Sequence, residues 1–157
     1  MFPTDGIIKT VFTIPDKLDL KTKSGRIIYY SIAFEEGIED YKNVIGLSPE
    51  YVERYQKSTV ALEAHTTYFK RIEFKSVVIA TRIHDFDGKK AHIYQELFSS
   101  STLLATQETL SISFNLRSRR TCPFDISIAR RYEELFTAQK DSKKSEFVGI
   151  SLSRLAR

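Results

Sequence analysis

The stretch Arg26–Ile45, RIIYYSIAFEEGIEDYKNVI, decides how the rest of the chain is read. Its apolar residues Ile27, Ile28, Phe34, Ile38, Tyr41 and Ile45 recur at intervals of three, four and seven, with Glu35, Glu36, Glu39, Asp40 and Lys42 between them. That spacing is the period of an amphipathic helix and predicts roughly five turns. Ser24 is the predicted cap, since a hydroxyl can accept from an unpaired first-turn amide. Gly46 is the predicted stop, because glycine tolerates the left-handed conformation that ends a helix. Ser48-Pro49 then opens a shorter helix carrying Tyr51, Val52 and Tyr55, proline being tolerated in a first turn.

Before this helix, Gly6–Ile14 (GIIKTVFTI) is rich in β-branched and aromatic residues and stops at Pro15, which reads as a first strand. Asp16–Gly25 (DKLDLKTKSG) is polar, aperiodic and loop-like. After Lys57 the period changes to two. Ser58–Phe69, Ile72–His84, Lys89–Phe98 and Leu103–Leu116 read as four strands, with Asp87-Gly88 and Ser99–Thr102 as turns, so an antiparallel meander is expected. Asp125 is the predicted cap of a last helix reaching about Gln139, with Ile128, Tyr132, Leu135 and Phe136 on its apolar side. Lys140–Ser145 reads as a solvated loop and Glu146–Ser153 (EFVGISLS) as a final edge strand. The expectation is one α+β domain over residues 1–157, an antiparallel sheet of five to six strands against one long helix, with an additional C-terminal helix.

The composition agrees. With 157 residues, 41% hydrophobic and 28% charged, the chain has material for one core and does not resemble a disordered polymer. No apolar run is long enough to span a bilayer, and Asp5 and Lys9 stand where a secretory leader would be apolar, so a cytoplasmic protein away from membranes is expected. The single Cys122 cannot close an internal disulfide and has no metal-ligand spacing with His65, His84 or His92; no metal site is expected. The net charge of +4 is concentrated late in the chain, at Arg117, Arg119, Arg120, Arg130 and Arg131. Such a cluster is either a solvated face or a seat for a phosphorylated ligand, and it lacks the aromatic interleaving of a nucleic-acid surface.

Two places carry ionisable groups against the pattern. Strand alternation puts Glu63 and His65 on one face with Thr59, Ala61 and Thr67, either facing solvent or forming part of a site. Glu108 shares a face with Leu104, Thr106, Leu110, Ile112 and Phe114, where a carboxylate is costly unless paired or lining a cavity. It is thus either half of a buried ion pair or a site carboxylate. His84 and His92 read as surface or satisfied histidines, and Cys122 has no base beside it.

The order of strand, loop, long helix and successive strands resembles the hotdog fold. Within it LEAHTTYF (Leu62–Phe69), DGKKAHIY (Asp87–Tyr94), LLATQE (Leu103–Glu108), RRTCPF (Arg119–Phe124) and EFVGISL (Glu146–Leu152) are similar to the 4-hydroxybenzoyl-CoA thioesterase-like group, in particular its betainyl-CoA thioesterase-like members. The resemblance implies hydrolysis of an acyl-CoA thioester, with a short or polar acyl group, by a homodimer or dimer of dimers with composite sites; the alternative is a non-catalytic protein of the same fold that binds an acyl thioester or a protein partner. No cofactor is implied beyond coenzyme A as part of the substrate. The family's working element, Asp-Tyr-Asn-Gly-His, precedes the long helix; this chain has Leu18-Asp19-Leu20-Lys21-Thr22-Lys23-Ser24-Gly25-Arg26 there. Asp19 matches the aspartate if one or two residues are inserted, and Gly25-Arg26 stands for Gly-His. The resemblance therefore implies Asp19, Glu63 and His65 as catalytic residues, with Gly25 and Arg26 at the thioester carbonyl. It also implies Glu108 in the acyl pocket and Arg119 and Arg120 against coenzyme A phosphates.

Overall fold

Alternating patterns separated by tight turns pair locally, and in the computed structural model, which describes residues 3–16, 19–72, 75–140 and 147, they build one antiparallel sheet. The elements are β1 (Ile8–Thr13), α1 (Lys23–Ile45), α2 (Pro49–Tyr55), β2 (Lys57–Tyr68), β3 (Ser76–Phe86), β4 (Lys90–Ser99), β5 (Thr102–Asn115), β6 (Arg120–Thr121) and α3 (Ile126–Ala138). The strand order is β1-β3-β4-β5-β2, with β6 paired to β5. This is the hotdog arrangement. The expected four-strand meander holds for β3, β4 and β5 only: β1 occupies the other edge of β3, with Ile8 opposite Thr81, so β2 pairs instead with the free side of β5. The predicted loop at Lys140–Ser145 and strand at Glu146–Ser153 lie outside the described residues, apart from Lys140 and Phe147.

The long helix starts earlier than its apolar pattern suggests. Thr22, extended at φ −83° and ψ 153°, is the cap in place of Ser24, and its hydroxyl accepts from the Gly25 amide. Gly46 ends the helix at φ 90° as expected, and the Ser48 hydroxyl caps α2 by accepting from the Tyr51 amide. The buried side of α1 is Tyr29, Tyr30, Ala33, Phe34, Gly37, Tyr41 and Ile45, whereas Ile27 and Ile28 are 45% and 48% exposed. The apolar pattern misses Gly37 because its role is steric: a Cβ there would lie 2.6 Å from Gln95 Nε2 and 2.8 Å from Ile79 Cγ2. Helix and sheet touch at that point, and Gln95 Nε2 donates to the Phe34 carbonyl at 3.0 Å.

α1 packs across β1, β3 and β4. Tyr29, Tyr30 and Phe34 meet Ile79 and Leu97 at one end; Tyr41 and Ile45 meet Ile83, Ile93 and the α3 residues Ile128, Tyr132 and Leu135 at the other. Burying a side chain such as Phe34 or Ile45 contributes about 1.5–3 kcal/mol. Asp125 precedes α3 without capping it, because its carboxylate instead accepts from the Tyr51 hydroxyl and the Lys57 ammonium. Toward the β5–β2 edge, the sheet extends past the helix. β2 is exposed over much of its length, and no other described strand lies beyond it in the sheet.

Candidate active site

The loop entering α1 is held almost entirely by its own backbone. The Asp19 carbonyl accepts from the Thr22 amide at 3.4 Å and the Thr22 hydroxyl at 3.1 Å, while Asp19 Oδ1 accepts from the Lys21 amide at 2.9 Å. One guanidinium nitrogen of Arg26 donates to the carbonyls of Leu20 and Lys21 at 3.0 and 2.8 Å, fastening the loop to the helix. Gly25 is buried where the two meet, and a Cβ on it would fall 1.9 Å from the Asp19 carbonyl oxygen. Asp19 itself is exposed, with its other carboxylate oxygen pointing to no described partner. The Gly25 and Arg26 amides are occupied by Thr22, at 3.0 and 3.3 Å. Among the described residues the helix-start amides of Lys23 and Ser24 have no acceptor, which leaves them, with the positive end of the helix dipole, for an anionic ligand.

Beside this loop lies a cleft of about 470 Å³ lined by Lys23, Arg26, Ile27, Tyr30 and the run Tyr68-Phe69-Lys70-Arg71 at the end of β2. Tyr30 and Tyr68 meet edge to face with centroids 4.9 Å apart, and the Tyr30 hydroxyl donates to the Lys70 carbonyl at 2.5 Å. Burial, reinforced by Tyr68 and opposed by Arg26, pushes the Tyr30 phenol above its ordinary range. Four cations over aromatic walls suit a phosphorylated, partly apolar ligand. Reading the sequence for helix period alone misses this cleft. The signal that could have found it is the aromatic pair followed by the basic pair at the end of a strand.

A second cavity, about 350 Å³, lies where the sheet passes beyond the helix, between one side of α1 and the helix-facing side of β2 and β5. Ser31, Glu35 and Lys42 line it from the helix, and Thr59, Gln107 and Thr109 are among its residues from the sheet.

Glu63, His65 and Glu108 are elsewhere. A bulge between Ala61 and Glu63 shifts the register of β2, so Ala61 and Ala64 face the helix while Glu63 and His65 stand opposite Leu110 and Glu108 on the other side of the sheet. The bulge breaks the alternation that grouped Thr59 and Ala61 with Glu63 and His65. Beyond Leu104, which packs with the start of α1 next to a register shift, the apolar row of β5 does not face α1 either; Gln107, Thr109 and Ser111 do. Glu108 is buried and its Oε2 lies 2.9 Å from His92 Nε2, with the His92 and His84 rings at 4.7 Å. Of its two readings the structure displays the buried pair, and the sheet separates it from the Asp19 loop.

Arg119 and Arg120 are exposed, with Arg120 opposite Asn115 in the row that also holds Lys57. That row is roughly 30 Å along the strands from Tyr68. Within one chain the two arginines therefore lie at the opposite end of the sheet from Gly25 and Arg26. Among the described residues no three His, Cys, Asp or Glu side chains gather in a metal-binding group, and no helix is long and apolar enough to cross a membrane.

Comparison with known proteins agrees with this architecture. A betainyl-CoA thioesterase of Pseudomonas aeruginosa is 26% identical over 127 residues, covering 79% of this chain and 80% of that one. A Staphylococcus aureus protein solved in complex with CoA superposes with a TM-score of 0.82 at 21% identity, over 94% of each chain. The DHNA-CoA thioesterase of Staphylococcus aureus gives 0.75 at 17% identity, over 88% of this chain and 97% of its own. These two likenesses concern the fold. The model of the thioesterase-like superfamily matches residues 26–132, from the first turn of α1 to the middle of α3, and the chain belongs to that superfamily.

Proposed function

We propose that the protein hydrolyses an acyl-CoA thioester, with a short or polar acyl group, to the free acid and coenzyme A. The observation that carries this reading is the juxtaposition, in a chain of the thioesterase-like superfamily, of an exposed carboxylate, unoccupied helix-start amides and a cationic cleft at one end of α1. Asp19 either attacks the thioester carbonyl or takes the proton of an attacking water. The amides of Lys23 and Ser24 stabilise the oxyanion that forms, since they point at the helix start and need no reorganisation to do so. Arg26 and Gly25 act by positioning the loop. Lys23, Lys70 and Arg71 attract the phosphates of coenzyme A.

The working unit in this reading is a homodimer joined along β2, which ends the order of the described strands and is suited to extending the sheet. Antiparallel pairing of two such edges over their full length sets the Lys57 end of one strand beside the Tyr68 end of the other. Arg119 and Arg120 of the partner subunit then approach the cleft that they are too distant to reach within their own chain. Glu63 and His65 keep to the face away from the helix in such a continuous sheet, so their role lies outside the reaction centre.

The test is thiol release across acetyl-, butyryl-, polar, aromatic and long-chain acyl-CoAs, with native protein and Asp19→Asn. Release from a short or polar ester, lowered tenfold or more by Asp19→Asn with unchanged thermal stability, supports the proposal. Binding without release across the panel would make the chain a non-catalytic thioester-binding protein, and an active monomer would overturn the shared site.

A further inference from the structure

The run Tyr68-Phe69-Lys70-Arg71 lines the cationic cleft, and its first three residues are held in different ways. The Tyr68 ring meets the Tyr30 ring, and the Lys70 carbonyl accepts from the Tyr30 hydroxyl. Phe69, between them, follows the end of β2. Its amide and that of Lys70 both donate to the Leu104 carbonyl, at 2.9 and 3.1 Å, which fixes the backbone but not the ring. Phe69 is 39% exposed, so burial in the core does not hold the ring either. What the ring meets is Phe147, with centroids 4.7 Å apart and planes tilted by 49°. Phe147 comes from beyond α3, where Gln139 donates to the Gly6 carbonyl at 2.7 Å. Gly6 precedes β1 and Phe69 follows β2, the strands at the two ends of the sheet order. The Phe147 contact therefore ties the end of the chain to the cleft, on the opposite side of the sheet from the anchor of α3.

We infer that Phe147 is a positioning residue of the cleft: it holds the Phe69 ring as the wall against which the partly apolar arm of coenzyme A packs while Lys70 and Arg71 meet its phosphates. The inference rests on the thioesterase reading for the ligand and adds to it a residue from the end of the chain. Phe147 is not among the residues lining the cleft, so it acts through Phe69. A ring free to turn must be immobilised when the ligand binds, which costs affinity; a ring already packed against another is preorganised. A tilted aromatic pair accounts for about three- to tenfold in an equilibrium constant beyond its buried area, and removing Phe147 should weaken binding by that much. Asp19 and the start of α1 are held by their own loop, so the chemical step should not feel the change.

The experiment uses the full chain, with calorimetry against coenzyme A and thiol release from the ester that the native protein hydrolyses fastest. Phe147→Ala should raise the Kd for coenzyme A and the KM about three- to tenfold, with kcat changed by less than about twofold. Phe147→Tyr, which keeps the ring, should bind like the native protein. Phe69→Ala should weaken binding at least as much as Phe147→Ala, and the double variant should be no weaker than Phe69→Ala alone, because Phe147 then has no wall to hold. If Phe147→Ala does not fold, Phe147→Leu, which keeps apolar volume without the ring, reads the same comparison. Unchanged Kd and KM in these variants, or losses that add in the double variant, overturn the inference; with hydrolysis retained they leave the thioesterase reading intact. Coenzyme A binding that follows the expected pattern, in a protein that hydrolyses none of the esters, does the reverse. A native protein that neither binds coenzyme A nor hydrolyses its esters overturns both.

Discussion

Asp19 and Glu108 are both carboxylates, and their surroundings are opposite. Asp19 is exposed in a loop whose hydrogen bonds run mostly through backbone atoms, with one carboxylate oxygen accepting from the Lys21 amide. Glu108 is 3% exposed on the side of the sheet away from α1, bound to His92. Glu108 breaks the hydropathy pattern of its strand and is conspicuous in the sequence for that reason; Asp19 sits in a polar loop where any acid would pass unnoticed. A buried polar residue must be satisfied, so its surroundings are built to pair it. A reactive group open to substrate has no such requirement. Anomalous burial thus finds structural pairs such as Glu108 and His92, and would pass over an exposed reaction centre such as the one proposed at Asp19.

Removing Glu108 is the strongest test of that contrast. Glu108→Ala leaves the His92 ring buried without its partner and opens space beside it, which should cost about 2–3 kcal/mol. In a domain of this size that corresponds to a fall in Tm of about 5–10 °C. Glu108→Gln preserves volume and an acceptor and should lose much less. If Glu108→Ala melts like the native protein while turnover disappears, the pair is serving chemistry and the contrast collapses.

The reciprocal test disturbs the loop without touching a charge. Gly25→Ala places a methyl group where the Asp19 carbonyl oxygen is, and backbone cannot yield as a flexible side chain can. The loop must move, and the reaction should slow about a hundredfold, as misplacement of a reacting group by an ångström does. The pair at Glu108 and His92, across the sheet, should be unaffected, so a melt shifted by only about 1–3 °C is expected alongside the kinetic loss. Turnover that survives in Gly25→Ala would show that the position of Asp19 is irrelevant and remove it from the mechanism.

Much of this architecture is legible in the sequence because it depends on period. The α1 pattern, the Gly46 stop, the start of α2 at Ser48-Pro49 and the β3–β4–β5 meander all follow from local alternation and turn chemistry. What fails is nonlocal. The β2 pairing depends on which sheet edge is already taken, and the bulge after Ala61 turns Glu63 and His65 to the far face through one unpaired residue. Gly37 is buried for the sake of Gln95 and Ile79, residues more than forty positions later, and nothing in its own neighbourhood shows this. The Asp19 loop is a mixed case: its involvement rests on family resemblance, whereas the occupation of the Gly25 and Arg26 amides by Thr22 is visible only in three dimensions.

Asp125 is intermediate between the two carboxylates, and the smallest predicted effect belongs to it. Its side chain is 33% exposed and that of Lys57 28%, and the Tyr51 hydroxyl donates to its second oxygen at 2.5 Å. Burial alone would raise its pKa, but the hydrogen bonds from Lys57 and Tyr51 outweigh that and hold the carboxyl below its ordinary value of 3.8. The bond to Asp125 likewise holds Lys57 above its ordinary 10.5, against a smaller opposing effect of burial. The signs follow from linkage. The depressed carboxyl contributes stability above pH 3.8 that is lost as pH falls through its folded value; the raised ammonium contributes stability below pH 10.5 that is lost as pH rises through its own. Solvent screening at this exposure limits the contribution to about 1 kcal/mol or less. Asp125→Asn should therefore melt slightly below the native protein at pH 6, with the difference shrinking as the pH is taken from 4 toward 2.5. Melts of the two proteins across that range measure it directly. A difference that stays constant down to pH 2.5 would mean that Asp125 is held by shape and neutral hydrogen bonding, like a residue of the buried face, and not by charge.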